Sequence, residues 1–364
     1  MSLSMNSRKN YLRAVEFRYP KWIPCRVGLM PATWKKYREE LEEVVLRHPL
    51  IFGPYEKGST DFNSSPPGYR QGEYFTDSWG CVWYNTFDGL EGQVVKHPLA
   101  NWEALRAYQP PDPLVTADRG PQEDWEVVRK RLQETRQRGE LAAGGLPHGF
   151  MFMRLYYLRG FENLMIDFVA EPPELHALIK MVLDHNMRLI NKWLELGVEV
   201  MHFGDDLGSQ RQVMMGPEYF RKYIKPCYAR MFGACRKAGA HVYLHSDGHI
   251  LEIIDDLIDC GVTILNPQLG ANGLNGLVGK CKGKVCVDLD LSRQDFPFCP
   301  PGEIKEHVRE AVAKLGSREG GLMLYAECEP DVPLENIEAI CEAFEECCFH
   351  LVEGFMGSFG SSVM

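Results

Sequence analysis

The stretch HVYLHSDGHI, residues 241–250, alternates like a buried strand and then presents His245, Ser246, Asp247, Gly248 and His249 in a row. Side chains two apart on a strand share a face, so His245 and Asp247 point one way while Val242 and Leu244 point the other. Imidazole and carboxylate are both competent zinc ligands, and this pair could hold one ion. The plainer alternative is that Asp247 caps a helix starting near His249 while His245 bonds a loop. Comparable material stands at four other predicted strand ends: His202, Asp205 and Asp206; Asn266; Asp288 and Asp290; and Glu327, Cys328 and Glu329. Asp205 and Asp206, with Gly204 and Gly208 on either side, suit a ligand, a general base or a loop cap. Cys328 shares a strand face with Ala326, and alone it reads as a small core residue.

Regular elements must position these groups. VEVMHFGDDLG (198–208), HVYLHSDG, TILNPQL (263–269), KVCVDLDL (284–291) and GLMLYAECE (321–329) read as strands. Helices alternate with them: 217–239 with a kink at Pro226, 249–261 closed by Gly261, a weak helix at 272–280, 301–316, and 333–354. Five consecutive strand–helix units predict a parallel sheet with helices outside, closed as a (β/α)8 TIM barrel with its chemistry where strands end. WIPCRVGL (22–29) is a candidate first strand, and 33–48 is helical. Residues 74–99 alternate around Asp88–Gly89 and predict an antiparallel hairpin excursion. GELAAGGLPHG returns to a strand, and two helices split near Pro172 follow. With no repeat or separating linker, we expect an N-terminal extension (1–20), a single barrel domain (21–354) and a C-terminal tail (355–364).

The totals exclude several classes. The 364 residues carry a net charge of −10, which argues against a nucleic-acid surface. No run is long and apolar enough for a membrane span, and no signal-peptide core follows the N-terminus, so a cytoplasmic protein is expected. The twelve cysteines include no CxxC pair. Cys341, Cys347 and Cys348 fall on the apolar stripe of the last helix and read as packing residues.

Taken in order, DSWGCVW (77–83), GFMFMRLYYLRGFENLMID (149–167), FGDDLGSQ, MGPEYFRKYIKP, HSDG and PDVPLENI resemble the uroporphyrinogen decarboxylase-like superfamily over about residues 70–350. That superfamily holds the haem-pathway decarboxylase and the cobalamin-dependent methyltransferases. In the decarboxylase reading, Asp77 matches the catalytic aspartate and Tyr156 the family tyrosine. The N-terminal YPKWIPCRVGLMPATWKKY keeps Arg26 but lacks the RQAGR pattern, and Ala326 stands where the decarboxylase has a histidine. Losing those arginines removes the carboxylate clamps. The methyltransferases are more similar in length and in the hairpin. They hold zinc on a His-x-Cys pair and a later Cys. His245 matches the histidine, Asp247 replaces the first cysteine, and Cys328 lies two residues beyond the position of the second, at Ala326. The resemblance therefore implies zinc on His245, Asp247 and Cys328, with Glu327 or Glu329 as substitutes. Such an oxygen-rich site is harder than His-Cys-Cys and disfavours a thiol acceptor such as coenzyme M. The expected enzyme moves a methyl group between a small substrate and the cobalamin of a partner corrinoid protein. Asp205 or Asp206 would position substrate or take a proton, and Tyr156, Trp79 and Trp83 would shape the pocket. Metal-free tetrapyrrole decarboxylation and a non-catalytic metabolite-binding barrel are the alternatives.

Overall fold

The structure is a computed structural model that describes residues 8–63 and 69–349. The tail at 355–364, the start of the N-terminal extension and the end of the last predicted helix lie outside them. The chain divides into two compact units, one from 1–64 with 264–364 and the other from 65–263.

In the 65–263 unit, three parallel strands, Ala143–Gly145, Val200–Gly204 and His241–Ser246, lie side by side. Their register sets Gly145 opposite His202, and Gly204 opposite His245. Phe203 leaves the sheet on the helix side, where its ring meets Phe150 at 5.1 Å and Phe232 at 4.8 Å. By alternation, His202 and Gly204 take the opposite face. Gly144 permits the close seat of helix Pro173–Glu195, because a Cβ there would lie 2.5 Å from the Trp193 ring.

The expected hairpin excursion is a three-stranded antiparallel sheet, Tyr74–Thr76, Val82–Tyr84 and Gln93–Lys96. Asp88 and Gly89 fall in its longer second connection rather than in a two-residue turn. The helix expected over 217–239 is irregular. A turn at Pro217–Tyr219 leads into a π-helical turn, Phe220–Ile224, before the α-helix Lys225–Lys237. Pro226 has no N–H to give back to the preceding turn, and the wider π turn absorbs that missing bond. The helix expected over 249–261 starts late, at Ile254. The chain before it is tied down, because His249 N–H donates to the Ser209 carbonyl at 2.7 Å.

In the other unit, four parallel strands run in the order Cys25–Leu29, Leu322–Cys328, Cys286–Asp290 and Ile264–Pro267. Helices Pro31–Arg47, Pro301–Leu315 and Leu334–Phe344 belong to the same unit. Buried Cys341 and Cys348 take the packing role read for them. Strand followed by helix is the repeating motif of both units, as the α/β reading expects. Among the described residues no helix is long and apolar enough to cross a membrane.

Candidate active site

Two consecutive carboxylates leave the Val200–Gly204 strand and meet opposite environments. Asp205 is fully buried and turns toward the start of helix Phe152–Arg159. It accepts the backbone N–H of Phe152 at 2.6 Å and of Met153 at 2.8 Å, and the Tyr228 hydroxyl at 2.8 Å. Burial raises its pKa to about 6 against the lowering effect of those three donors. It therefore caps and anchors a helix rather than meeting a ligand.

Asp206 turns the other way, toward two imidazoles. Its Oδ2 lies 3.2 Å from His148 Nε2 and its Oδ1 3.8 Å from His245 Nε2. His245 Nε2 is also 3.1 Å from Asp247 Oδ1, so the pair singled out in the sequence does meet. The Asp247 N–H donates to Asp206 Oδ1 at 3.1 Å and fixes the carboxylate plane. Burial works against ionising Asp206, but the His148 hydrogen bond and both imidazoles outweigh it, and its pKa falls below the usual range. Burial likewise opposes a charge on His148, yet Asp206 holds that imidazole above its ordinary value. His148, Asp206 and His245 each offer a ligand atom within 4.8 Å of the others.

The loops carrying these groups touch backbone to backbone. Gly208 N–H donates to the Asp247 carbonyl at 3.2 Å. Gly248 has φ +78°, and a Cβ on it would fall 2.1 Å from the Gly208 carbonyl oxygen. This is the physical content of the glycines flanking the Asp–Asp and His-Ser-Asp stretches.

Tyr156 and Tyr157 follow on the helix that Asp205 caps. Their rings meet edge to face at 4.8 Å, and burial raises both phenols, so they keep their protons. Tyr157 O–H points to Met153 Sδ at 4.0 Å, and that sulfur accepts the Asp206 N–H at 3.2 Å.

Asp77 has a different surrounding from the one its resemblance implies. It is buried, and its carboxylate accepts Trp79 N–H (3.0 Å), Cys81 N–H (2.8 Å), Trp83 Nε1–H (2.9 Å) and Arg154 (3.4 Å). Arg154 also pairs with Asp118 and lies over Trp79. Trp79 and Trp83 are thus parts of a buried ion-pair network.

His185 packs on Trp79 with ring centroids 4.3 Å apart, and its Nδ1 faces the Pro111 carbonyl at 3.1 Å. Burial depresses its pKa to about 4. The unfolded chain takes up this proton near 6.5, the folded one only near 4. Its stabilising effect is complete above pH 6.5 and is lost as pH falls toward 4, on the order of 3 kcal/mol in all. Denaturant unfolding at pH 7 and pH 4.5 should show a smaller acid loss in His185→Gln than in the wild type; equal losses would refute the assignment.

In the other unit, Glu327 accepts the Tyr325 hydroxyl at 2.7 Å and Arg293 at 2.7 Å. Arg293 also pairs with the fully buried Asp290. Arg26 lies 3.9 Å over the Tyr325 ring and 3.3 Å from Asp288. Cys328 follows Glu327 and so takes the opposite strand face. It is fully buried, it adds to the electrostatic surroundings of Cys341 on helix Leu334–Phe344, and burial raises its thiol far out of the thiolate range. Among the described residues, neither Cys328 nor Glu327 belongs to a group of three or more His, Cys, Asp or Glu at metal-ligand spacing. Cys328 is therefore placed as a core residue, and Glu327 as the acceptor of an arginine and a tyrosine.

His148 and Tyr228 were not singled out in the sequence. One signal for His148 was available. It stands three residues past the strand Ala143–Gly145, where a parallel α/β fold carries its chemistry. That strand is short and rich in glycine, so its end drew no attention.

A family model described as uroporphyrinogen decarboxylase (URO-D) matches residues 86–347. A uroporphyrinogen decarboxylase of Thermus thermophilus is 21% identical over 268 residues, covering 70% of this chain and 72% of that protein. A solved methyltransferase from Methanosarcina mazei superposes with a TM-score of 0.51 at 19% identity, over 74% of this chain and 76% of that one. The structural likeness shows the fold, which is α/β and TIM-barrel-like, as the strand–helix rhythm predicts.

Proposed function

Because this chain belongs to the uroporphyrinogen decarboxylase family, we propose that it is an enzyme of the methyltransferase type within it. It moves a methyl group between a small methylated substrate or acceptor and the cobalamin of a partner corrinoid protein, assisted by zinc. The observation that carries the choice is the state of Asp77. A decarboxylase of the kind the resemblance describes needs that carboxylate facing substrate. Here it is buried and engaged by two backbone N–H groups, an indole and a guanidinium. The groups that converge at a strand end are instead imidazole and carboxylate, which suit a cation.

The donor chemistry around His245 fits zinc, with a ring nitrogen and carboxylate oxygens at 3.1 and 3.8 Å. When bound, such an ion supplies Lewis acidity to the atom that gains or loses the methyl group. The protein's own part is positional. Asp205 fixes the start of the helix that carries Tyr156 and Tyr157. Those phenols keep their protons; half-buried Tyr156 can donate a hydrogen bond to a substrate anion, while buried Tyr157, whose O–H points to Met153 Sδ, excludes water.

The test is direct. Purified protein with zinc, cobalamin reduced to its cob(I) state and a panel of methyl ethers, methylamines and methyl thioethers is followed by the absorbance of methylcobalamin. Formation of methylcobalamin, and its consumption in the reverse direction, supports the reading. Decarboxylation of uroporphyrinogen without methyl transfer would replace it, and tight substrate binding without any product would select the non-catalytic barrel.

A further inference from the structure

We propose that His148, Asp206 and His245 form a 2-His-1-carboxylate site for one divalent transition-metal ion, with no sulfur ligand. The ligand set rests on geometry alone, and only the ion's role in catalysis rests on the methyl-transfer reading. It departs from the set that the sequence implied by taking in His148 and Asp206 and leaving out Cys328 and Glu327, with Asp247, 3.1 Å from His245 Nε2, as a carboxylate beside the set rather than a member of it.

Three independent backbone segments converge. His148 comes from the loop after Ala143–Gly145, Asp206 from the loop after Val200–Gly204, and His245 from the strand His241–Ser246. Both histidines present Nε2 to one carboxylate, at 3.2 and 3.8 Å, and the three ligand atoms lie within 4.8 Å of one another. Ligand atoms around an ion with bonds of about 2.0–2.2 Å lie roughly 3–3.5 Å apart, so closing the set takes under about 1.5 Å of side-chain movement. The surroundings pre-form it. Asp206 is oriented by the Asp247 N–H at 3.1 Å. Gly204 leaves room for the His148 ring, since a Cβ there would stand 2.6 Å from His148 Nδ1. The site is not sealed, with the His148 side chain 40% exposed and that of Asp206 19%.

Two neutral imidazoles and one carboxylate leave coordination positions open for substrate. They favour Zn²⁺, Fe²⁺, Mn²⁺ or Co²⁺ over the soft ions that thiolates select. The competing account of the same geometry is a metal-free hydrogen-bonded His–Asp–His array.

The experiment is metal titration of the full chain with Zn²⁺ and with Co²⁺, read by elemental analysis after dialysis and by the Co²⁺ absorption spectrum. The wild type should hold about one ion per chain, with ligand-field bands and no thiolate-to-cobalt charge transfer. His148→Ala, Asp206→Ala and His245→Ala should each retain less than about a tenth of it, while Cys328→Ala should retain all of it. Gly204→Ala should fold normally, because the exposed imidazole can swing away, yet weaken binding on the order of 10–100-fold. Failure of the wild type to hold either ion would overturn the site, as would a thiolate band or an ion that survives loss of His148 and Asp206. An ion held by these three residues without methyl transfer would sink the functional reading and leave the site standing. Methyl transfer by a protein that holds neither ion would do the reverse.

Discussion

Asp205→Ala is expected to destabilise the protein by about 3–5 kcal/mol, lowering the melting temperature by roughly 4–7 °C. The substitution strands three donors at once: the N–H groups of Phe152 and Met153 and the hydroxyl of fully buried Tyr228. None of them has water to turn to, and each unsatisfied buried group costs about 1–3 kcal/mol. Asp205→Asn removes the charge and one of the two acceptor oxygens, and sets a donor-only NH2 against the N–H of Phe152 or Met153. The carboxyl has a pKa of about 6, above its value in the unfolded chain, so its stabilising effect is present at acid pH and is lost as pH rises through about 6. The amide cannot ionise. Asn should therefore cost less than Ala while still stranding one backbone donor, and its cost should shrink between pH 5 and pH 8. Urea denaturation of the three proteins at both pH values checks this. Equal losses for Ala and Asn would mean that shape, not hydrogen bonding, holds the helix start.

The second large effect falls on Gly248→Ala. A left-handed backbone costs an alanine about 1–2 kcal/mol by itself. The larger effect is steric. The new methyl group would lie 2.1 Å from the Gly208 carbonyl oxygen, which belongs to backbone and cannot rotate away. The two strand-end loops must separate, carrying Asp206 away from the Asp247 N–H that orients it. On the proposed methyl-transfer reading, turnover should fall by two orders of magnitude or more, together with faster amide exchange at Gly208 and His249. A variant that keeps wild-type turnover and exchange would show that the loops do not need their contact. Gly204→Ala makes a useful contrast, because its clash is with a side chain that can move.

Much of the fold was legible in the sequence, for a simple reason. Strands such as VEVMHFG and HVYLHS carry their periodicity in a few bulky residues, and helices such as Pro173–Glu195 and Pro301–Leu315 are long enough for amphipathic spacing to stand out. The late start of the helix at Ile254 was not legible, because the restraint is a backbone hydrogen bond to Ser209. The site was half legible. Alternation correctly paired His245 with Asp247, but alternation cannot say which face of a strand looks inward when both are buried. Cys328 shows the limit. It shares a face with Ala326, and that face packs toward the helix bearing Cys341, while Tyr325 and Glu327 take the other. Asp205 and Asp206 are identical in type and adjacent in sequence. Only tertiary neighbours, a helix start on one side and two imidazoles on the other, give them different roles. Asp77 shows the converse, a residue at a family position whose carboxylate is taken up by Trp79, Cys81, Trp83 and Arg154.

The π turn at Phe220–Ile224 has a further consequence, for insertions and deletions. It holds one residue more than an α-helix would use over the same path. Because the wider turn takes up that residue locally, the helix that follows keeps its phase, and Tyr228 keeps its direction and its 2.8 Å bond to Asp205. Deleting one residue from 220–224 would replace the π turn by an α turn with the tyrosine still aimed at the carboxylate, and such a deletion should cost little stability. Inserting one more residue there is different, because a turn already widened cannot absorb it: the helix that follows would rotate by about 100° and swing the tyrosine off Asp205.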